Sequence, residues 1–227
     1  MRKFMGNVLA LMLTLIAPFS AAQDVAPDAL LKAVTMEVIE IIRHDREIQA
    51  GNPAKVAALV ESTILPHFDF DHMTRIAVAR NWRLSTDEQK TSLITEFKTL
   101  LVRTYSAALA NYRDQTIEFK RLRAAPGDTE VTVKSVMRQS GAEPLSMDYD
   151  MEKVAAGWKV YDVKIEGISL ITTYRESFAS RVREGGVDGL IKSLFDKNRQ
   201  SDVIFRVRQT EGSQVPAIVK ILLVGAK

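Results

Sequence analysis

The chain has 227 residues, of which 46% are hydrophobic and 26% charged, enough apolar material for one sizeable core in an ordinary globular balance. Its formal net charge is +3, and removing Arg2 and Lys3 with a leader leaves 29 basic against 28 acidic residues, so nothing in the charge favours a nucleic acid partner. There is no cysteine, which excludes a disulfide framework, a thiolate metal site and a cysteine nucleophile.

The first residues read as a secretory leader. Arg2 and Lys3 are followed by an apolar run over 8–17, then Pro18 and the small residues Ser20, Ala21 and Ala22. The run is shorter than the roughly 20 residues a permanent span needs. Cleavage is expected after Ala22, which makes 1–22 the signal peptide. A lipid anchor would require a cysteine just past that point, so the expected product is a soluble periplasmic protein.

A helical stripe follows over 29–48, with Leu30, Leu31, Val34, Val38, Ile41 and Ile42 on one face. Asn52-Pro53 reads as an N-cap with proline at the first helical position, opening a helix carried by Val56, Leu59, Val60 and Ile64. In 67–72 two histidines and two aspartates look like metal ligands, but their spacing fits no strong motif. An aspartate before a helix is expected as its cap, so the structural reading is preferred. Ser85 and Glu88 have the spacing of a capping box for a long helix ending near Tyr112, with Leu93, Phe97, Leu101, Tyr105 and Leu109 in its stripe.

The period then changes to two. Strands are expected over 116–123, 130–138, 145–154 and 158–166, separated by turn signals. Short connections make them an antiparallel meander. Asp150 and Asp162, with Tyr149 and Tyr161, could supply acid and base. They alternate with apolar neighbours, so the solvent face of a strand is the preferred reading. Helical periodicity returns with Leu170, Ile171, Tyr174 and Phe178, is stopped by Gly185-Gly186, and resumes with Leu190, Ile191 and Leu194. Helices, then strands, then helices predict an α+β fold with helices on one face of the sheet. The segment 199–227 has no clear place in this plan.

Three stretches carry a family resemblance: HFDFDHMTRIAVARNWRLSTDEQ, FKTLLVRTYSAALANY and GWKVYDVKIEGISLITTYRESFASRVREGGVDGLIKSL. With the leader they cover residues 1 to about 198. The chain resembles the MlaC family of periplasmic phospholipid-binding proteins, also called toluene-tolerance proteins. The chain departs from the family at Val78-Ala79, where members often have Leu-Gly, and at Ser92, where a phenylalanine is common.

The resemblance implies an NTF2-like domain over 23–198, with an apolar cavity between a four-stranded sheet and the helices. It implies a carrier and not an enzyme, with phospholipid as cargo and no cofactor or metal. It implies exchange with an MlaA-type outer-membrane lipoprotein complex and with an inner-membrane ABC transporter bearing an MCE-domain ring. The inward apolar residues then expected to hold lipid are Phe97, Leu101, Tyr105, Val133, Met147, Tyr149, Val163, Ile165, Ile168, Leu170, Ile171, Tyr174 and Phe178. Strand parity puts Tyr161, Val163 and Ile165 on one face. Two other readings are a small NTF2-like periplasmic enzyme and an adaptor that binds apolar solutes or only protein.

Overall fold

The computed structural model describes residues 25–208 apart from position 126. The expected leader and the tail beyond 208 lie outside the described residues.

The first layer is helical. Helix α1 (Pro27–His44) buries Leu31, Val38 and Ile42, as its stripe predicts. The short α2 (Arg46–Gln49) is capped by the Asp45 side chain. Helix α3 (Pro53–Leu59) starts as expected, with the Asn52 side-chain oxygen Oδ1 accepting the Ala54 and Lys55 amides. A π turn (Val60–Ile64) and a 3-10 turn (Leu65–His67) lead to α4 (Phe70–Val78). Asp69 is its cap, accepting the His72 amide at 2.8 Å.

Helix α5 (Asp87–Ala110) has its capping box one residue later than expected. Thr86 Oγ1 accepts the Gln89 amide and Gln89 returns the bond to the Thr86 amide. Ser85 is unavailable because it is buried and its hydroxyl donates to the Asn81 carbonyl.

The sheet has five antiparallel strands in sequence order, not four: β1 (Thr116–Phe119), β2 (Glu130–Arg138), β3 (Leu145–Val154), β4 (Gly157–Ile165) and β5 (Ile168–Ser169). The first is shorter than expected. The fifth arises because the chain turns back after Ile165 instead of running straight into a helix. Glu166 and Gly167 both have positive φ, 50° and 77°, the signature of a two-residue type I′ hairpin. Ser169 then accepts the Thr172 amide, so it caps the 3-10 turn Thr172–Tyr174 that leads into α6 (Arg175–Arg208). Gly185 and Gly186 break α6 into two segments, as expected, and its second segment runs past residue 198.

A β-bulge corrects the strand-parity expectation. Asp150 pairs with Asp162 but Met151 pairs with Val160, so Tyr161 is an extra residue in β4. Val160 and Val163 therefore reach the same cluster, while Tyr161 turns away to stack on His72, ring centroids 4.3 Å apart.

Three clusters form the interior. Helices α4, α5 and α6 share one, centred on Phe97, Tyr174 and Phe178. The sheet and Leu31 of α1 form the second. The first three helices and the far end of α5 form the third. The helices approach the sheet most closely along β4, through α4 and the Leu65–His67 turn, and at β2 through α1. Phe68 adds a parallel bridge to Val160, and the Asp69 amide donates to the Val160 carbonyl.

Ala79 follows α4 with φ 53° and ψ −127°, a conformation costly for any residue with a Cβ. Ala79→Gly is expected to stabilise the fold by about 1 kcal/mol, raising Tm by roughly 2–4 °C in a domain of this size. Calorimetry showing an unchanged or lower Tm would mean that the alanine is not strained.

Candidate functional site

The ladder registers place one set of side chains on one face of the sheet. Val133, Tyr149 and Val163 form one row across β2, β3 and β4. Phe119, Ser135, Met147, Ile165 and Ile168 form the next, across all five strands. Ile117, Met137 and Leu145 form a third. Val131 and Met151 precede them. These four rows contain no charged side chain.

Burial is graded along this lane. Val131, Val133, Met151, Val160 and Val163 are buried under Leu31 and its neighbours. Phe119, Met137, Leu145, Met147 and Tyr149 are only half-buried. The lane is thus closed at one end and partly open toward the β2–β3 turn.

Its polar groups are neutral and mostly satisfied within the protein. Ser135 is buried and its hydroxyl donates to the Met147 carbonyl. Burial pushes the Tyr149 phenol up to about 12, with a partial offset from Ser135. The phenol remains neutral across ordinary pH. The lane can cover apolar matter; it presents no nucleophile and no ionised acid or base.

The expected site residues divide between two clusters. Phe97, Leu101, Ile171, Tyr174 and Phe178 are buried together in the helical cluster, with Tyr105 packed against them. Burial, first of all, raises the Tyr105 and Tyr174 phenols, which also interact with one another. Val133, Tyr149, Val163 and Leu170 belong to the sheet cluster. Ile165 is buried beside the half-buried Met147. Ile168 is the exception to the inward expectation: it is 53% exposed. Phe119, Met151 and Leu31 join the lane although the sequence reading did not select them. The alternation of Ile117 and Phe119 was the available signal for the first.

Asp150 and Asp162 lie on the opposite face, yet both are buried, which corrects the solvent-face reading. Asp150 accepts the Thr132 hydroxyl at 2.7 Å and pairs with Lys164 at 2.6 Å. Asp162 accepts the Ser169 hydroxyl and the Ile171 amide, fastening the returning chain to β4. Burial raises the Asp162 carboxyl above its ordinary range, against the pull of these bonds. Both carboxylates are engaged in holding the fold. The 67–72 stretch is engaged as well: Asp69 caps α4 and His72 Nδ1 meets Glu152 at 2.5 Å. No metal-binding group of three such residues occurs among the described residues.

A separate groove of about 380 Å³ lies between α5 and the second segment of α6. Thr91, Ser92, Thr95, Glu96, Asp188 and Lys192 line much of it, with Ile191 and Phe195. Six polar or charged walls suit it poorly to a large apolar guest. No described helix is long and apolar enough to cross a membrane.

The family described as MlaC protein matches residues 32–196. The intermembrane phospholipid transport system binding protein MlaC of Haemophilus influenzae is 19% identical over 189 residues, 82% of this chain and 88% of that one. The toluene tolerance protein ttg2D of Pseudomonas putida is 26% identical over 182 residues, 78% of this chain and 83% of its own length. Among solved structures, a phospholipid-binding protein from Ralstonia solanacearum in complex with a phospholipid superposes with a TM-score of 0.72. It is 42% identical in sequence, with 77% of this chain and 98% of that one covered.

Proposed function

This chain belongs to the MlaC family, and on that premise we propose that it is a phospholipid carrier whose apolar lane takes the acyl chains. The observation that carries the reading is the lane itself: four uncharged rows, buried at one end and half-covered at the other. A relative 42% identical is a phospholipid-binding protein solved in complex with a phospholipid.

The energetics favour such a lane. Each buried methylene is worth about 0.8 kcal/mol, so two acyl chains of roughly 30 methylenes represent on the order of 20 kcal/mol gross. A carrier must offer comparable cover, in an NTF2-like cavity between sheet and helices, while the charged headgroup stays in water. Release into water is then very slow, and exchange takes place against partners. The partners proposed are the MlaA-type outer-membrane lipoprotein complex and the MCE-domain ABC transporter, with the leader over 1–22 directing the chain to the periplasm. Shuttling between these complexes would maintain outer-membrane lipid asymmetry. The carrier itself performs no covalent chemistry in this reading.

Protein purified from a bacterial host is expected to show a diacyl phospholipid by native mass spectrometry, released by organic solvent extraction. A chain that purifies free of phospholipid, and takes none up from mixed micelles, sinks the proposal.

A further inference from the structure

One residue of the lane stands outside it. Ile168 on β5 is directly opposite Ile165, which is opposite Met147. Along that single row exposure rises from a buried Ile165 to 53% at Ile168. The other exposed large hydrophobics among the described residues, Val25, Met36, Leu84 and Phe195, lie on the helices and their flanks. Isolated exposed apolar residues are common and need no explanation. An exposed one in ladder register with a buried apolar row is a different case, because it extends that row into solvent.

The backbone fixes this exposure. Glu166 adopts φ 50°, which is strained for a residue with a Cβ. It is held by two bonds to one residue of the neighbouring strand: its carboxylate accepts the Ser146 amide, and its own amide donates to the Ser146 carbonyl at 3.1 Å. The turn is thereby tied to the start of β3, beside the half-buried Leu145 and Met147. Ile168 is held out at the open end of the lane by this tight turn.

We propose that Ile168 and the Glu166–Gly167 turn form the lip of the loading portal, over which acyl chains pass between the lane and a donor or acceptor. This rests on the carrier reading. An acyl segment crossing a polar rim loses cover for each methylene exposed, and an apolar lip at that point lowers the barrier. The bound lipid therefore lies with its ester end near Ile168 and its methyl ends toward Val131 and Met151.

The absence of cysteine allows a direct test. Ile168→Cys and, as a control, Leu84→Cys (Leu84 is 77% exposed, beyond α4) are each labelled with a small bimane fluorophore. Each protein is loaded from mixed micelles with phosphatidylethanolamine bearing a nitroxide either near the ester or at the methyl end of one chain. At position 168 the ester-end nitroxide is expected to quench more strongly than the methyl-end one, and at 84 neither should quench appreciably. Equal quenching, or stronger quenching from the methyl end at 168, overturns the portal assignment. In parallel, Ile168→Ser, compared with the parent chain at matched loading, should exchange its phospholipid about fivefold more slowly. An unchanged exchange rate overturns the lip while leaving the carrier reading intact. A parent chain that takes up no phospholipid at all overturns both.

Discussion

Phe97→Ala is expected to lower the unfolding free energy by about 3–5 kcal/mol. Phe97 is 0% exposed on α5, in the middle of the helical cluster. Its ring meets Tyr174 and Phe178 edge-on, each with centroids 5.1 Å away. The first partner sits in the 3-10 turn after β5 and the second on α6. One side chain thus joins α5 to the segment that returns from the sheet. Truncation removes the transfer free energy of a fully buried ring, leaves a cavity, and deletes two aromatic pairs worth about 0.5–1.5 kcal/mol each beyond their area. Urea unfolding followed by circular dichroism measures the effect. A loss below about 1 kcal/mol would show that the cluster closes over the gap, and that the ring is not the pivot described.

Two substitutions in adjoining rows of the lane are expected to part company. Val163→Asp places a carboxylate at a side chain only 9% exposed, clustered with Val133, Met151 and Leu31 in a row that holds no charged side chain. The cost of an unpaired buried charge is large, and that variant should fail to fold stably. Met147→Asp puts the same group at a half-buried position nearer the open end, where water reaches it in the empty protein. It should remain folded and lose its lipid. Each 1.4 kcal/mol of lost affinity is tenfold, so a carboxylate set against an acyl chain should reduce phospholipid per chain by about tenfold or more. Phosphate analysis of a solvent extract, alongside a circular dichroism spectrum, separates the two results. If Met147→Asp is folded and keeps the parent's phospholipid, the cargo does not lie on this face.

Much of the fold was legible because local chemistry and tertiary structure agree. Asn52-Pro53 caps and starts α3, Gly185-Gly186 interrupts α6, and alternation marks β2, β3 and β4. What escaped depended on contacts distant in sequence. Both parities of β4 carry apolar residues, so nothing local announces the extra residue at Tyr161, which is settled by pairing with β3 and stacking on His72. Two residues cannot show a period, so β5 is invisible in the pattern, although a Glu-Gly pair between apolar residues was a usable hairpin signal. Asp162 reads as a surface residue until the turn brings Ser169 and Ile171 onto it. The candidate residues were chosen by composition, which does not show how the fold divides them between clusters. Phe97, Tyr174 and Phe178 fill their own cluster, whereas Met147 and Tyr149 face incompletely covered space, and both environments select the same residue types.

The close attachment of helices along β4 gives the molecule a bound margin, like the spine of a book. The Phe68 bridge, the Asp162 bonds and the α4 contacts all lie at that margin. At the other margin β1 is four residues long and has a neighbour on one side only. Prising the two layers apart at β4 breaks the Asp69–Val160 backbone bond and the bond from the Lys159 ammonium to the Pro66 carbonyl. Accommodation of guests of unequal bulk should therefore fan the pages at the fore-edge and leave the spine in place. On the carrier reading proposed above, chains of different length and saturation would be taken up by the architecture, with no separate residue to measure them.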